Sequence, residues 1–285
     1  MLKMIGGRPL LFVSLLLAAP ASAQAQAQAA KTDGMLKNIE LCNRIDRAAL
    51  DTRISGCTVL IDANYGTTAA QAIAYNNRGN AYIAKGDFDR AIQDFDQSIK
   101  LNANYAKPLS NRGVALMRKG EYDGAIEAFD EAIRLKPSYA NAYLNRAEAY
   151  LKKGDHARAI EDYDEAIRLN PGLDIVWHGR CWAQAVLGDL QPALEACNKA
   201  LQSGINNAAT YDSLGLIHLK MEQPGKAIDD YDAAVRLNPK LASALYGRGL
   251  ARLKTGDKAG SDADIAAAKA IAAGVDDEFA RYGVK

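Results

Sequence analysis

Tyr143-Leu144-Asn145-Arg146-Ala147-Glu148-Ala149-Tyr150-Leu151-Lys152-Lys153-Gly154-Asp155-His156-Ala157-Arg158-Ala159-Ile160-Glu161-Asp162-Tyr163-Asp164-Glu165-Ala166-Ile167-Arg168-Leu169-Asn170-Pro171 reads as two helices joined by a short turn. Gly154 suits the left-handed end of the first helix, and Asp155 is an N-cap for the second. Outward from this stretch the same signature recurs at steps of 34 residues from Ala72 onward. With Ala72 as position 1, position 8 is always small: Gly79, Gly113, Ala147, Cys181, Gly215 and Gly249. Position 20 is small as well, in Ala91, Ala125, Ala159, Ala193, Ala227 and Ser261. Bulky residues fill position 4 (Tyr75, Leu109, Tyr143, Trp177, Tyr211, Leu245) and, in most units, position 24 (Phe95, Phe129, Tyr163, Cys197, Tyr231, Ile265). Proline closes three units at Pro137, Pro171 and Pro239.

Small residues at positions 8 and 20 let the two helices of a unit approach, and the aromatic residues fill the space beside them. A single unit cannot bury its apolar face, so neighbours complete one another's core and the chain is expected to be an all-α solenoid. Gly86-Asp87, Gly120-Glu121, Gly188-Asp189 and Gly256-Asp257 repeat the turn device, whereas Glu222-Gln223-Pro224-Gly225 replaces it with a proline suited to a helix's first turn. The anchors resemble the tetratricopeptide repeat (TPR) family over residues 72–275, six units in all. Arg78, Arg112, Arg146 and Arg180 stand where the common pattern has leucine, as in a bacterial-looking variant. The resemblance implies a right-handed superhelix of antiparallel helix pairs, whose first helices line a concave groove for peptides or partner helices.

The full chain has 285 residues, with 35 Lys and Arg against 34 Asp and Glu. So even a balance gives no electrostatic reason to bind nucleic acid, and no nucleic-acid partner is expected. At the N-terminus Lys3 and Arg8 precede an apolar run from Leu10 to Ala19, and Ala21-Ser22-Ala23 supplies a cleavage signature. Residues 1–23 thus read as a secretory signal peptide, too short in its apolar part to span a bilayer. The mature chain is expected in the periplasm or secreted, without membrane insertion. Residues 24–33 read as a flexible leader, 34–71 as a degenerate first helix pair, and 276–285 as a C-terminal cap.

An oxidising compartment gives the four cysteines meaning. Aligning Arg53–Ile61 with the second helix of a unit puts Cys57 at position 24 and Cys42 at position 9. Cys181 and Cys197 stand at positions 8 and 24. The pairs Cys42–Cys57 and Cys181–Cys197 are therefore expected as disulfides, the alternative being four small buried hydrophobes.

Asp96, Asp130, Asp164 and Asp232 each precede by sixteen residues Arg112, Arg146, Arg180 and Arg248. Where the acid becomes Asn198, the arginine becomes Leu214. This matching predicts ion pairs between consecutive units rather than a ligand-binding arginine column.

By family analogy the groove is faced by positions 2, 5, 6, 9, 12 and 13. Asn77, Asn111 and Asn145 recur at position 6, and an amide side chain that both donates and accepts suits an extended peptide backbone. Asn80 and Lys107 also fall at groove positions, but they do not by themselves restore the family's carboxylate clamp, whose positive residues are largely missing, with Asn76, Ser110 and Leu144 at position 5. Farther along, His178, Trp182, Leu216, Leu219, Tyr246, Leu250 and Leu253 suggest an apolar surface, or packing between repeats. Arg118, Lys152, Lys220 and Lys254 suggest a basic margin. No catalytic set, cofactor site or metal-ligand spacing is evident, and His218, at a position held by Tyr82 and Tyr150 elsewhere, reads as core. The expectation is an exported scaffold binding a protein or peptide ligand. The alternatives are a regulatory adaptor of cell-envelope hydrolases or assembly machinery, and a homo-oligomer whose groove receives its own terminus.

Overall fold

The computed structural model describes residues 21–44, 46 and 49–284. The described residues contain fifteen helices and no strand. Helix α1 (Ala21–Asn43) pairs with α2 (Leu50–Asp62). Six further hairpins follow: α3 (Thr68–Lys85) with α4 (Phe88–Leu101), α5 (Ala106–Lys119) with α6 (Tyr122–Leu135), α7 (Ala140–Lys152) with α8 (His156–Leu169), α9 (Val176–Leu187) with α10 (Leu190–Gln202), α11 (Ala208–Lys220) with α12 (Pro224–Leu237), and α13 (Ala242–Lys254) with α14 (Lys258–Ile271). A short α15 (Val275–Arg281) ends the chain. Each helix packs on its neighbours in sequence, as an α-solenoid requires.

First helices of consecutive units also touch one another, from α1–α3 through α11–α13, whereas no pair of consecutive second helices packs comparably. The first helices therefore lie on the inner side of the curve. Turn chemistry explains the hairpins: Gly86, Gly120, Gly154, Gly188 and Gly256 have φ between +77° and +93°. In the fifth full unit Glu222 takes this left-handed place with φ +57°, and Pro224 opens α12. Asp87, Asp155 and Asp257 cap the second helices by accepting a backbone N–H, while Glu121 and Asp189 make no such bond.

The core repeats with the sequence. Phe95, Phe129, Tyr163 and Tyr231 are all buried. The rings of Phe95 and Phe129 lie so close to Gly79 and Gly113 that an added Cβ would come within 2.6 Å and 2.5 Å of them. In the fourth unit Cys197 and Cys181 occupy those two places and are joined by a disulfide, with Cα atoms 5.2 Å apart. Cys42 and Cys57 are joined likewise in the α1–α2 pair, with Cα atoms 4.6 Å apart.

All four expected joint pairs form. Arg112 reaches Asp96 at 3.0 Å, Arg146 reaches Asp130 at 2.5 Å, Arg180 reaches Asp164 at 2.6 Å and Arg248 reaches Asp232 at 2.7 Å. A second, internal set was not anticipated from the sequence. Arg78, Arg146 and Arg248 each grip a buried acid of their own unit, Asp94, Asp162 and Asp264, with paired N–H donors in the fork geometry that makes arginine–carboxylate bonds strong. Arg146 and Arg248 thus clamp two units at once. His218, expected in the core, is half-buried and meets Asp230 at 2.5 Å, in the unit where Leu214 has replaced the arginine.

Two sequence expectations change or lie outside the described residues. Residues 24–33, read as a flexible leader, are helical within α1; alanine and glutamine favour helix, and the described side chains there are exposed because no apolar stripe exists to pack. Within the export segment 1–23, only residues 21–23 are described, and they open α1. No described helix is long and apolar enough to cross a membrane.

Candidate functional site

The inner face has two parts with different chemistry. At its N-terminal end the asparagines bond to one another: Asn111 donates to Asn76 Oδ1 at 2.9 Å, Asn76 to Asn77 Oδ1 at 3.3 Å, and Asn77 to Asn43 Oδ1 at 2.9 Å. Each amide still has donor or acceptor capacity left, and Asn77, Asn111 and Asn145 are all half-buried. Asn80 and Arg118 line a separate open hollow beside Leu50 and Lys85. Lys107 is exposed at the start of α5 and does not line that hollow.

Farther along, a cavity of about 470 Å³ crosses the first helices of successive units, from Met117 on α5 to Ser243 on α13. Lys152, His178 and Trp182 line it, so the structure brings these three predicted residues together. Ile175 and Trp182 give it an apolar side, and Glu148, Asp212 and Glu278 give it carboxylates. Asp212 accepts from Ser243 Oγ at 2.7 Å, and burial pushes its carboxyl up to about 7. Burial likewise raises Glu148, against the pull of Arg118 and Lys152, and lowers His178, whose Nδ1 lies 3.2 Å from Thr210 Oγ1.

Glu278 belongs to α15, whose return to the groove had no counterpart in the sequence pattern. Tyr282 and Trp182 meet in a T-shaped contact, centroids 5.2 Å apart, and Phe279 packs on Tyr246 at 5.0 Å. Tyr246 is thus covered by the chain's own end. Val275, Phe279 and Val284 are buried, which anchors the segment. Leu216, Leu219 and Leu250 are also buried between helices, the packing alternative rather than an open apolar surface; Leu253 alone of this set is exposed. The basic margin is reduced too. Lys220 donates to the carbonyls of Ala185 and Val186 at the end of α9, and Lys254 pairs with Glu222 at 3.0 Å. Arg118 and Lys152 stay exposed.

Models of the tetratricopeptide repeat match residues 72–105, 110–174 and 213–276, together more than half of the chain. The chain belongs to the tetratricopeptide repeat family. The unmatched interval within the TPR array holds the fourth unit, where the Cys181–Cys197 disulfide replaces the aromatic packing. No curated protein sequence matches the chain. Among solved structures it resembles YrrB, described as a TPR protein with an unusual peptide-binding site, at 21% identity and TM-score 0.56, over 67% of this chain and 97% of that one. It also resembles PilF of Pseudomonas aeruginosa (17%, TM-score 0.65, 75% and 96%) and the type IV pilus biogenesis factor PilW (16%, 0.62, 70% and 92%). At these identities the likeness concerns the TPR fold. Among the described residues no group of three or more His, Cys, Asp or Glu is placed to hold a metal ion.

Proposed function

We propose that this TPR protein is an exported scaffold that holds a protein or peptide on its inner face. The observation that carries the reading is the cavity continuous across α5, α7, α9, α11 and α13, which combines apolar walls with convergent polar groups. The asparagines of α3, α5 and α7 extend that face with unused amide capacity suited to a peptide backbone. The description of YrrB as peptide-binding supports a peptide-sized ligand, and the pilus factor PilW offers a precedent for a role in assembling envelope machinery. Export is supported by the signal-like residues 1–23 and by two cysteine pairs at bonding distance. Because α15 lies against Trp182 and Tyr246 of its own chain, a terminus in the groove needs no second copy, which favours the scaffold over the self-associating alternative.

The test is site-specific photo-crosslinking in cells. A benzophenone side chain at Lys152 or Ile175, both exposed on the inner cavity, should trap a discrete partner. The same group at Glu127 or Glu161, exposed on second helices, should not. Crosslinks confined to the second helices would overturn the groove reading.

A further inference from the structure

The carboxylates of the inner cavity break a rule that the rest of the solenoid obeys. Of the four buried acids among the described residues, Asp94, Asp162 and Asp264 are each held by an arginine; Asp212 is not. Its only side-chain hydrogen-bond donor among the described residues is the neutral Ser243 hydroxyl. Glu278 accepts from the neutral Tyr282 hydroxyl, and Glu148 has no hydrogen-bond partner among the described residues. Three acids from α7, α11 and α15 thus converge on one cavity without an ion pair to any of them. Lys152, the lysine on the wall, is exposed at the rim, and Arg118 and Lys152 act on Glu148 only through space.

A second observation is independent of these charges. Tyr163 is 1% exposed, lines the same cavity, and its hydroxyl has no hydrogen-bond partner among the described residues. That hydroxyl passes over Gly179, also on the cavity wall, and reaches the space that a side chain there would fill. A hydroxyl aimed into a cavity with no partner within the described chain is free to accept a hydrogen bond from a ligand there. Trp182 on the same wall supplies an aromatic ring, which cations favour, and the apolar wall suits an alkyl stem.

We infer that this cavity takes the basic side chain, lysine or arginine, of a peptide lying in the groove, its charge set among Glu148, Asp212 and Glu278 and its stem against Trp182. The inference rests on the reading of the inner face as a ligand groove and adds the chemistry of the ligand. A bound cation also favours the ionised form of Asp212, which burial alone disfavours.

The probes are acetyl-Ala-Ala-Lys-Ala-Ala-amide, its arginine and norleucine counterparts, and putrescine. Each is titrated into the full chain while the Trp182 indole N–H resonance is followed. The lysine and arginine peptides should bind at least about tenfold tighter than the norleucine peptide, the scale of one charge-assisted bond. The near-isosteric double variant E148Q/D212N should lose that margin, and K152A should keep or increase it. Equal binding of the lysine and norleucine peptides, or an unchanged margin in E148Q/D212N, would overturn the assignment while leaving a peptide groove intact. Putrescine binding without peptide binding would overturn the peptide side chain as its source. Absence of binding by every probe would overturn the assignment, and the groove reading falls with it only if inner-face crosslinks are also missing.

Discussion

The Tyr163 hydroxyl fills the space above Gly179: a Cβ built at residue 179 would lie 2.2 Å from that oxygen. Tyr231 stands in the same relation to Gly247, with the hydroxyl 2.3 Å from the added Cβ. Phe95 and Phe129, which lack the hydroxyl, are followed sixteen residues later by Asn111 and Asn145. The asparagine series on the inner face therefore stops where tyrosine replaces phenylalanine in the preceding unit, and the groove changes from an amide surface to an acidic, aromatic cavity at that joint.

Replacing Gly179 by alanine should destabilise the protein. In an open helix the change would gain about 1 kcal/mol of propensity, but overpacking a rigid, buried ring costs typically about 1–3 kcal/mol. A net loss of stability in chemical denaturation, reduced when Tyr163→Phe is added, would show the coupling in a double-mutant cycle. A stabilised Gly179→Ala would mean that the ring is free to move aside.

Tyr231→Phe should behave oppositely to most core substitutions. The Tyr231 hydroxyl is fully buried and has no hydrogen-bond partner among the described residues, so removing it relieves a penalty of about 1–3 kcal/mol and loses little packing. The midpoint of thermal unfolding should stay level or rise. A fall by several degrees would show that the hydroxyl has an unseen partner.

Much of this architecture was legible in one sequence because repetition supplies internal comparisons. The joints between units could be read because Asn198 and Leu214 lose acid and arginine together, and the structure pairs Arg112, Arg146, Arg180 and Arg248 as that matching requires. The Tyr163–Gly179 and Tyr231–Gly247 relation was available to the same comparison, sixteen residues apart, and was missed because position 6 was read only as a surface position. The return of Phe279 and Tyr282 to Tyr246 and Trp182 has no such signature. It joins a unique terminal segment to repeats far back in the chain, so no periodicity reports it. That contact covers Tyr246 and packs on Trp182, two residues the pattern alone leaves on the open groove.

Asp212→Asn should change the pH dependence of stability. In the folded chain burial raises the Asp212 carboxyl to about 7 from its ordinary 3.8, so the folded state binds the proton more tightly than the unfolded state. Below the ordinary value both states are protonated and there is no penalty; stability then falls as pH rises to about 7 and levels off beyond it. At about 1.4 kcal/mol per unit the loss is on the order of a few kcal/mol. Denaturation curves should therefore coincide for wild type and variant near pH 4 and separate near pH 8, with the asparagine form more stable. A gap independent of pH would contradict this.

Reduction of the two disulfides should loosen different parts. Each closes a loop of about 15 residues, worth on the order of 3 kcal/mol. Cys181→Ala with Cys197→Ala should lower stability in the fourth unit, where no aromatic replaces the lost bridge. Cys42→Ala with Cys57→Ala should make the α1–α2 pair the first site of limited proteolysis, and native-state hydrogen exchange across 34–66 should accelerate there before the regular repeats respond.

The most direct measurement of the groove account uses a fluorescently labelled peptide selected by display on the wild-type chain. Its anisotropy is compared between wild type, the variant with Asn77, Asn111 and Asn145 changed to alanine, and a variant changed only at Glu127 and Glu161 on second helices. Loss of three side-chain hydrogen bonds should weaken binding at least about tenfold in the first variant and leave the second unchanged. Equal affinity in wild type and the asparagine variant, with weakened binding only in the Glu127 and Glu161 variant, would place the ligand on the outer face and contradict the account.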